Sequence, residues 1–258
     1  MKKYLISLEK DQQRRELFFR QSNNDDFIIF QAVNTMNEAL SDLHKRFDLS
    51  KFLQHYGRNV TKGEVGCTLS HLGVYRMIIE DRDIRDDEYS LICEDDALFT
   101  KGFYSYLGHI LLSSFSGDIV ILGQSKINHF NDIELEINYP ITFNFLQKEI
   151  KNTPFRLAYP YKNYFAGTVC YLIKKSSAAK ILGQCELYLP YWLADDFVLF
   201  GNTFNLDTKV IRPLMAIENP ILNSNLSQAR GEIKQNTIKK WLKYPVKKLL
   251  AIIKNLKK

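Results

Sequence analysis

Glu94, Asp95 and Asp96 stand in a row directly after the apolar run Leu91-Ile92-Cys93. Three adjacent carboxylates repel one another, and gathering them at the edge of a core is costly unless a divalent cation or several donors offset the charge. An apolar run that ends in acids reads as a buried strand carrying carboxylates to its carboxyl end. Residues two apart on an extended segment share a face, so Glu94 and Asp96 are expected at one site, with Asp95 turned the other way to support the backbone. A metal-binding strand end is the sharper reading. A solvated acidic turn that caps a following helix is the plainer one.

A second acid pair, Asp195-Asp196, lies among Leu193, Ala194, Phe197, Val198 and Leu199. Acids in so apolar a setting either reach a functional cleft, where one serves as a general base, or cap a turn. Ser7 and Leu8 end the first apolar run, and Arg14 and Arg15 follow on the next helix, a suitable place to meet a nucleotide. An arginine fork pairs equally well with phosphate or with neighbouring carboxylates, so both partners stay open. His71 sits on a long helix, where it is either a site residue or a satisfied structural histidine.

These side chains need a scaffold, and the patterning supplies one. Tyr4 to Leu8 reads as a strand, Lys10 to Gln21 as a charged helix and Phe27 to Phe30 as a second strand. Thr61-Lys62-Gly63-Glu64 has the spacing of a capping box, with Val65, Leu69, Leu72 and Ile79 at helical intervals behind it, which predicts a helix from Lys62 to about Glu80. Tyr89 to Cys93 and Asp118 to Leu122 read as buried strands around a helix from Phe103 to Leu112. Residues 128–164 are rich in Asn, Pro and aromatic side chains without a sustained period. They are either an insertion that closes over a substrate or packed irregular structure. Gly167 to Ile173 resumes as a strand, Lys175 to Leu182 as a short helix, and Tyr191 to Phe200 as an apolar helix carrying the second acid pair. The alternation predicts an α/β class, a single domain with a mostly parallel central sheet. In such sheets ligands gather at the carboxyl ends of strands, which favours the metal reading of the acid triplet.

With 258 residues, 45% hydrophobic and 25% charged, the chain has the composition of a soluble enzyme-sized domain. The four cysteines are far apart and form no C-x-x-C pair, which suits a reducing cytoplasm and small core residues. No secretory signal is expected at the start, and no apolar run has membrane-spanning length. Charge is unevenly spread: Lys234 to Lys258 holds nine lysines and no acid, so the rest of the chain is net acidic although the whole carries +6. Trp241, Leu242, Val246, Leu249, Leu250, Ile252, Ile253 and Leu256 interleave with those lysines, the composition of an interfacial helix, interrupted near Pro245. Residues 1–233 are therefore expected to form the catalytic domain and 234–258 a basic amphipathic tail at an anionic membrane surface. Nucleic acid is not an expected partner, because no basic stripe accompanies a recognisable nucleic-acid motif.

Four blocks together resemble a known family: Tyr4-Leu5-Ile6-Ser7-Leu8 with Arg14-Arg15; Gly63-Glu64-Val65-Gly66-Cys67 with Ser70-His71; Glu94-Asp95-Asp96; and Gly167-Thr168 leading into Tyr171-Leu172-Ile173. In order and spacing they look like glycosyltransferase family 25, the lipooligosaccharide-biosynthesis galactosyltransferases. The resemblance implies a GT-A fold, a UDP-sugar donor such as UDP-galactose, an inverting transfer, and a lipid-linked oligosaccharide acceptor on the cytoplasmic face of a bacterial inner membrane. It implies that Asp96 of a DxD-like triplet binds Mn2+ or Mg2+ and that Glu94 faces the ribose or a metal-bound water. Ser7, Leu8, Arg14, Arg15, His71, Glu94 and Asp95 would then surround the donor. Asp196, preferred to Asp195, would be the base, since Asp196-Phe197-Val198-Leu199-Phe200 is similar to the family's Asp followed by an apolar helix. Pro190 stands six residues before Asp196, which alters the usual approach to it. A metal-dependent nucleotidyltransferase, a catalytically silent carbohydrate-binding protein and a basic-tailed membrane scaffold remain the alternatives.

Overall fold

The computed structural model describes residues 1–113, 117–161, 167–222 and 237–256. The chain opens with β1 (Lys3–Ser7), α1 (Gln12–Phe19) and β2 (Ile28–Gln31), followed by α2 (Leu40–Leu43), α3 (Leu49–Tyr56) and α4 (Lys62–Glu80). Next come β3 (Tyr89–Glu94), β4 (Ala97–Phe99), α5 (Phe103–Leu112), β5 (Ile119–Ile121) and β6 (Gly123–Gln124). The segment without a sequence period contains α6 (Ile133–Asn138), a 3-10 turn (Asn144–Leu146), β7 (Lys148–Glu149) and β8 (Arg156–Ala158). β9 (Cys170–Lys174), α7 (Lys175–Leu187), α8 (Phe197–Thr203), β10 (Thr208–Arg212), β11 (Ala216–Glu218) and α9 (Thr237–Leu256) complete the order.

The α/β class expected from the sequence is observed. Eight strands form one sheet in the order β2-β1-β3-β9-β5-β10-β8-β7. β2, β1, β3, β5, β10 and β7 point one way, while β9 and β8 run against them. Side chains alternate between the two faces as the pleat requires. Tyr4, Ile6, Ile92, Ile119, Ile121, Tyr171 and Ile173 join one core with α4, α7 and α8. Leu5, Leu91, Cys93, Val120, Cys170 and Leu172 join the other with α1 and α5. All four cysteines are free thiols.

A second sheet, β4-β11-β6, lies just beyond the first. β4 follows β3 after Asp95 and Asp96, β6 follows β5 after Leu122, and β11 follows β10 across a short break containing Pro213. The acid triplet thus occupies the seam where three strands leave the large sheet and enter the small one.

Three expectations are corrected. Asp95 does not turn away from Asp96, because β3 ends at Glu94 and a turn carries the next two residues, so strand alternation stops there. Asp195 and Asp196 are not inside a helix: Asp196 is the N-cap of α8, its side chain accepting from the Leu199 amide, and the helix starts only at Phe197. The tail helix is not interrupted at Pro245, which lies within α9. Proline removes one amide donor, and Tyr244 just before it and Lys247 two positions after it are held to the body of the domain.

The segment from α6 to β8 is packed rather than loose, since β8 pairs with β10 and β7 with β8. Residues 162–164 of the segment and the junction expected between 233 and 234 lie outside the described residues.

Candidate active site

Arg14 organises the carboxyl end of β3. Its Nε donates to Asp95 Oδ1 at 2.6 Å and its Nη2 to Asp96 Oδ2 at 2.5 Å. Ser7, at the end of the adjacent β1, donates its hydroxyl to Asp95 Oδ2 at 2.6 Å. Arg15 lies one step further out: its Nη1 donates to Ser7 Oγ at 3.0 Å and to the Leu8 carbonyl, and its Nη2 donates to the Glu9 carbonyl at 2.9 Å. Arg14 thus pairs with carboxylates, one of the two options that sequence left open, while Arg15 holds the Ser7 hydroxyl and backbone carbonyls at the β1 terminus.

Asp96 is different from Asp95. Both are 6% exposed, yet Asp96 Oδ1 has no hydrogen-bond partner among the described residues. Burial raises the Asp96 carboxyl well above its ordinary range, and the Glu94 charge adds to this, with Arg14 opposing and Glu218 on β11 contributing. Burial also raises Asp95, against Arg14 and Ser7. For Glu94, burial pulls upward, but hydrogen bonding and charge from His71, with Thr168 and Arg14, bring it below the usual carboxylate range. Of the two carboxyls, Asp96 is therefore the one that takes up a proton more readily. Sequence reasoning missed Glu218 and singled out Thr168 only within a family-like block, with no role at the acids. An acid closing the short strand Ala216–Glu218 was a signal for the first, but its place beside β4 is visible only in the pairing Glu218↔Ala97.

His71 comes from α4. Its Nε2 faces Glu94 Oε1 at 3.4 Å and its Nδ1 is 2.8 Å from the Tyr171 hydroxyl, which in turn is 2.8 Å from the Tyr75 hydroxyl. Burial pushes both tyrosines up, so they hold neutral hydroxyls against the imidazole. The surrounding motif divides by task. Thr61 and Glu64 complete the expected capping box, and Glu64 is also clamped by Arg58 Nη1 and Nη2 at 2.9 and 2.7 Å. A Cβ on Gly66 would stand 2.6 Å from the Val33 carbonyl oxygen, so only glycine lets α4 approach the loop after β2. Ser70 accepts from the Val33 amide at 2.8 Å and donates to the Gly66 carbonyl at 2.6 Å. That leaves Cys67 and His71 as the motif's contribution to the site, their ligand atoms and a Glu94 oxygen lying within 4.8 Å of one another.

The second acid pair has another kind of surroundings. Asp196 is 3% exposed, and both of its oxygens are engaged: Oδ1 accepts from the Leu199 amide at 2.9 Å and Oδ2 from the Tyr56 hydroxyl at 2.7 Å. Tyr56 accepts from the Leu193 amide at 3.2 Å, and burial, then the Asp196 charge, raises its hydroxyl. Asp195 is half-buried and lies within electrostatic reach of Tyr56 and Arg58. α8 reaches the acid cluster through side-chain packing: Phe197 meets the Tyr171 ring edge-on at 5.6 Å, and Tyr171 holds His71. Gly167 makes that packing possible, since a Cβ there would stand 2.8 Å from Ile121 and 3.0 Å from Phe197.

A cleft of about 390 Å3 opens beside the ends of β1 and β2, lined by Leu8, Glu9, Lys10, Gln12, Gln31 and Asn34. A larger one, about 740 Å3, lies elsewhere, between α6, the Phe143–Phe145 turn and Lys248 of α9. The smaller cleft begins at Leu8, the residue after Ser7.

Two donor sets could hold a cation. Glu94 and Asp96 offer oxygens only, which suits hard Mg2+ or Mn2+, and the partnerless Asp96 Oδ1 is the atom such an ion would satisfy. Cys67, His71 and Glu94 offer a mixed set that suits Zn2+ better.

A family model described as Glycosyltransferase family 25 (LPS biosynthesis protein) matches residues 1–199. Among related proteins, the probable inactive glycosyltransferase 25 family member 3 of Rattus norvegicus is 31% identical over 84 residues, 31% of this chain and 14% of that protein. Procollagen galactosyltransferase 1-B of Xenopus laevis is 29% identical over 133 residues, 48% of this chain and 21% of that protein. The chain thus spans at most about a fifth of the length of these curated relatives. Among solved structures, the inositol-1-phosphate CTP transferase of T. maritima superposes with a TM-score of 0.37 at 16% identity, covering 92% of this chain and 97% of that one. That likeness is too distant to bear on function.

Proposed function

This chain belongs to glycosyltransferase family 25, and on that premise we propose that it transfers a sugar from a UDP-sugar, most simply galactose from UDP-galactose. In this reading transfer proceeds with inversion, to a lipid-linked oligosaccharide of the lipooligosaccharide type. The observation that carries it is Asp96: a buried carboxylate with one partnerless oxygen, beside charged Glu94, at the carboxyl end of a central strand. An orphaned oxygen on a buried carboxyl beside an ionised one is what a divalent cation would satisfy, and a nucleoside diphosphate leaving group is the substrate chemistry that needs one there.

Glu94 and Asp96 would hold Mn2+ or Mg2+, which when bound supplies charge stabilisation to the departing diphosphate. Arg14 keeps both aspartates aligned and reduces their repulsion, and Arg15 fixes the β1 terminus at Leu8 and Glu9. The nucleoside end of the donor fits the cleft between Leu8 and Asn34. His71, held by Tyr171, keeps Glu94 ionised and oriented. The acceptor hydroxyl must lose a proton as it attacks; both Asp196 oxygens already hold the Tyr56 hydroxyl and the start of the helix, whereas Asp195 beside it is half-buried. The base in this reading is Asp195, and Asp196 positions it.

Release of UDP from a panel of UDP-sugars, with Mn2+ or with EDTA, tests the proposal. Metal-dependent release from one donor supports it and identifies that donor. Metal-dependent donor binding without release would place the chain with the relative named as inactive. Neither binding nor release from any donor would overturn the reading.

A further inference from the structure

The helix α9 is docked with its polar side inward. Tyr244 donates to Glu136 Oε1 at 3.1 Å, Lys248 Nζ lies 2.6 Å from the same oxygen, and Lys247 donates to the Asn138 carbonyl at 3.1 Å. Ala251 is fully buried, and Asn255 exchanges hydrogen bonds with the Tyr159 backbone at 2.8 and 3.1 Å. These residues recur at helical intervals and define one face. The opposite face carries Leu242, Val246, Leu249, Leu250, Ile253 and Leu256, between 39% and 74% exposed. A water-facing helix ordinarily does the reverse. No helix among the described residues is long and apolar enough to cross a membrane.

We propose that α9 seats the domain on an anionic lipid bilayer, with the outward ridge among the acyl chains just below the headgroups and its lysines at the phosphates. Charge selects this occupant. Residues 234–258 hold nine lysines and no acid, and Lys243 is exposed beside the ridge. An anionic leaflet complements that charge while the ridge buries its apolar area. A second copy of the chain would instead bring two such lysine-rich segments face to face. Fixing the helix to α6 and to Tyr159 also fixes how the domain sits on the surface, which a loose basic tail would not do. The inference rests on α9 alone and stands apart from the transfer reaction.

The test is co-sedimentation of the full chain with phosphatidylcholine vesicles, with and without phosphatidylglycerol. Trp241 emission is followed in parallel; it is 50% exposed, whereas the only other tryptophan, Trp192, is 1% exposed and serves as an internal constant. Binding to the phosphatidylglycerol vesicles with a blue shift of Trp241 is expected, and salt should weaken it. The double substitution Leu249→Glu and Ile253→Glu, at exposed positions, should lower that binding about tenfold or more while the thermal unfolding midpoint holds. UDP release without vesicles, measured on the same variant, separates a failure of docking from a failure of catalysis. Lack of binding by the wild type, or undiminished binding by the variant, would overturn the proposal. So would a wild-type dimer in sedimentation velocity that the same substitutions dissociate, because the ridge would then be occupied by a second copy.

Discussion

Two acid clusters, both set among apolar residues, are used in opposite ways. At Asp196 each oxygen accepts from a neutral donor, the Leu199 amide or the Tyr56 hydroxyl, and the carboxylate starts a helix. At the end of β3 the charges of Glu94, Asp95, Asp96 and Glu218 crowd together, and Arg14 answers only part of them. The first cluster is complete within the protein. The second is complete only with something added. Counting acceptors against donors therefore separates a structural carboxylate from a ligand-binding one where sequence shows only adjacent acids.

The strongest way to break that contrast is Asp96→Asn. It should lower metal-dependent UDP release about a thousandfold and abolish Mn2+-dependent donor binding, measured by titration, with the circular dichroism spectrum unchanged. Retained Mn2+ dependence would move the ion to the Cys67, His71 and Glu94 set, which Zn2+ competition would then reveal.

The second cluster yields a paired test. Asp195→Asn should lower turnover about a hundredfold with donor affinity kept, the mark of a lost general base. Asp196→Ala should cost about 2 kcal/mol in denaturant unfolding, because it removes the cap and strands Tyr56. If Asp196→Asn, which keeps one oxygen for the Leu199 amide and can donate its NH2 to the Tyr56 hydroxyl oxygen, lost turnover as Asp195→Asn does, Asp196 would be restored as the base.

The smallest effect concerns pH. The Asp96 carboxyl is raised in the folded protein, so protonation favours the fold. That contribution is fully present below the ordinary carboxylate pKa and is lost as pH rises through the raised one. The protein without added metal should therefore lose stability on going from acidic to neutral pH, relative to Asp96→Asn, in thermal unfolding followed across that range. Mn2+ should restore the loss in the wild type alone. A wild-type profile that tracks the variant would show that Arg14 already compensates the charge.

Much of the scaffold was legible because its signals are local. The Thr61 capping box and the spacing of Val65, Leu69 and Leu72 predicted α4 with the bounds observed, and the apolar runs before Glu94 and after Gly117 marked β3 and β5. The short strands β7 and β8 were not legible, since two- and three-residue strands show no period of their own and exist only through pairing, β8 with β10 and β7 with β8. The bounds of α8 were misjudged for a related reason. Leu193-Ala194 before the acid pair and Phe197 to Phe200 after it are both apolar, so hydrophobicity conceals where the helix begins, and a side-chain hydrogen bond decides it.

The sequence by itself determined the α/β class, the long helix that presents His71, the acid triplet at a strand end, and a basic amphipathic segment near the end of the chain. These depend on residue type and on spacing along one element. Tertiary structure alone decided that Arg14 would be spent on Asp95 and Asp96, that Glu218 would join them, that Asp196 would be engaged by Tyr56, and that α9 would turn Lys247 and Lys248 inward. Each of those outcomes pairs residues far apart in the chain, and a carboxylate's role follows from which donors reach it in space.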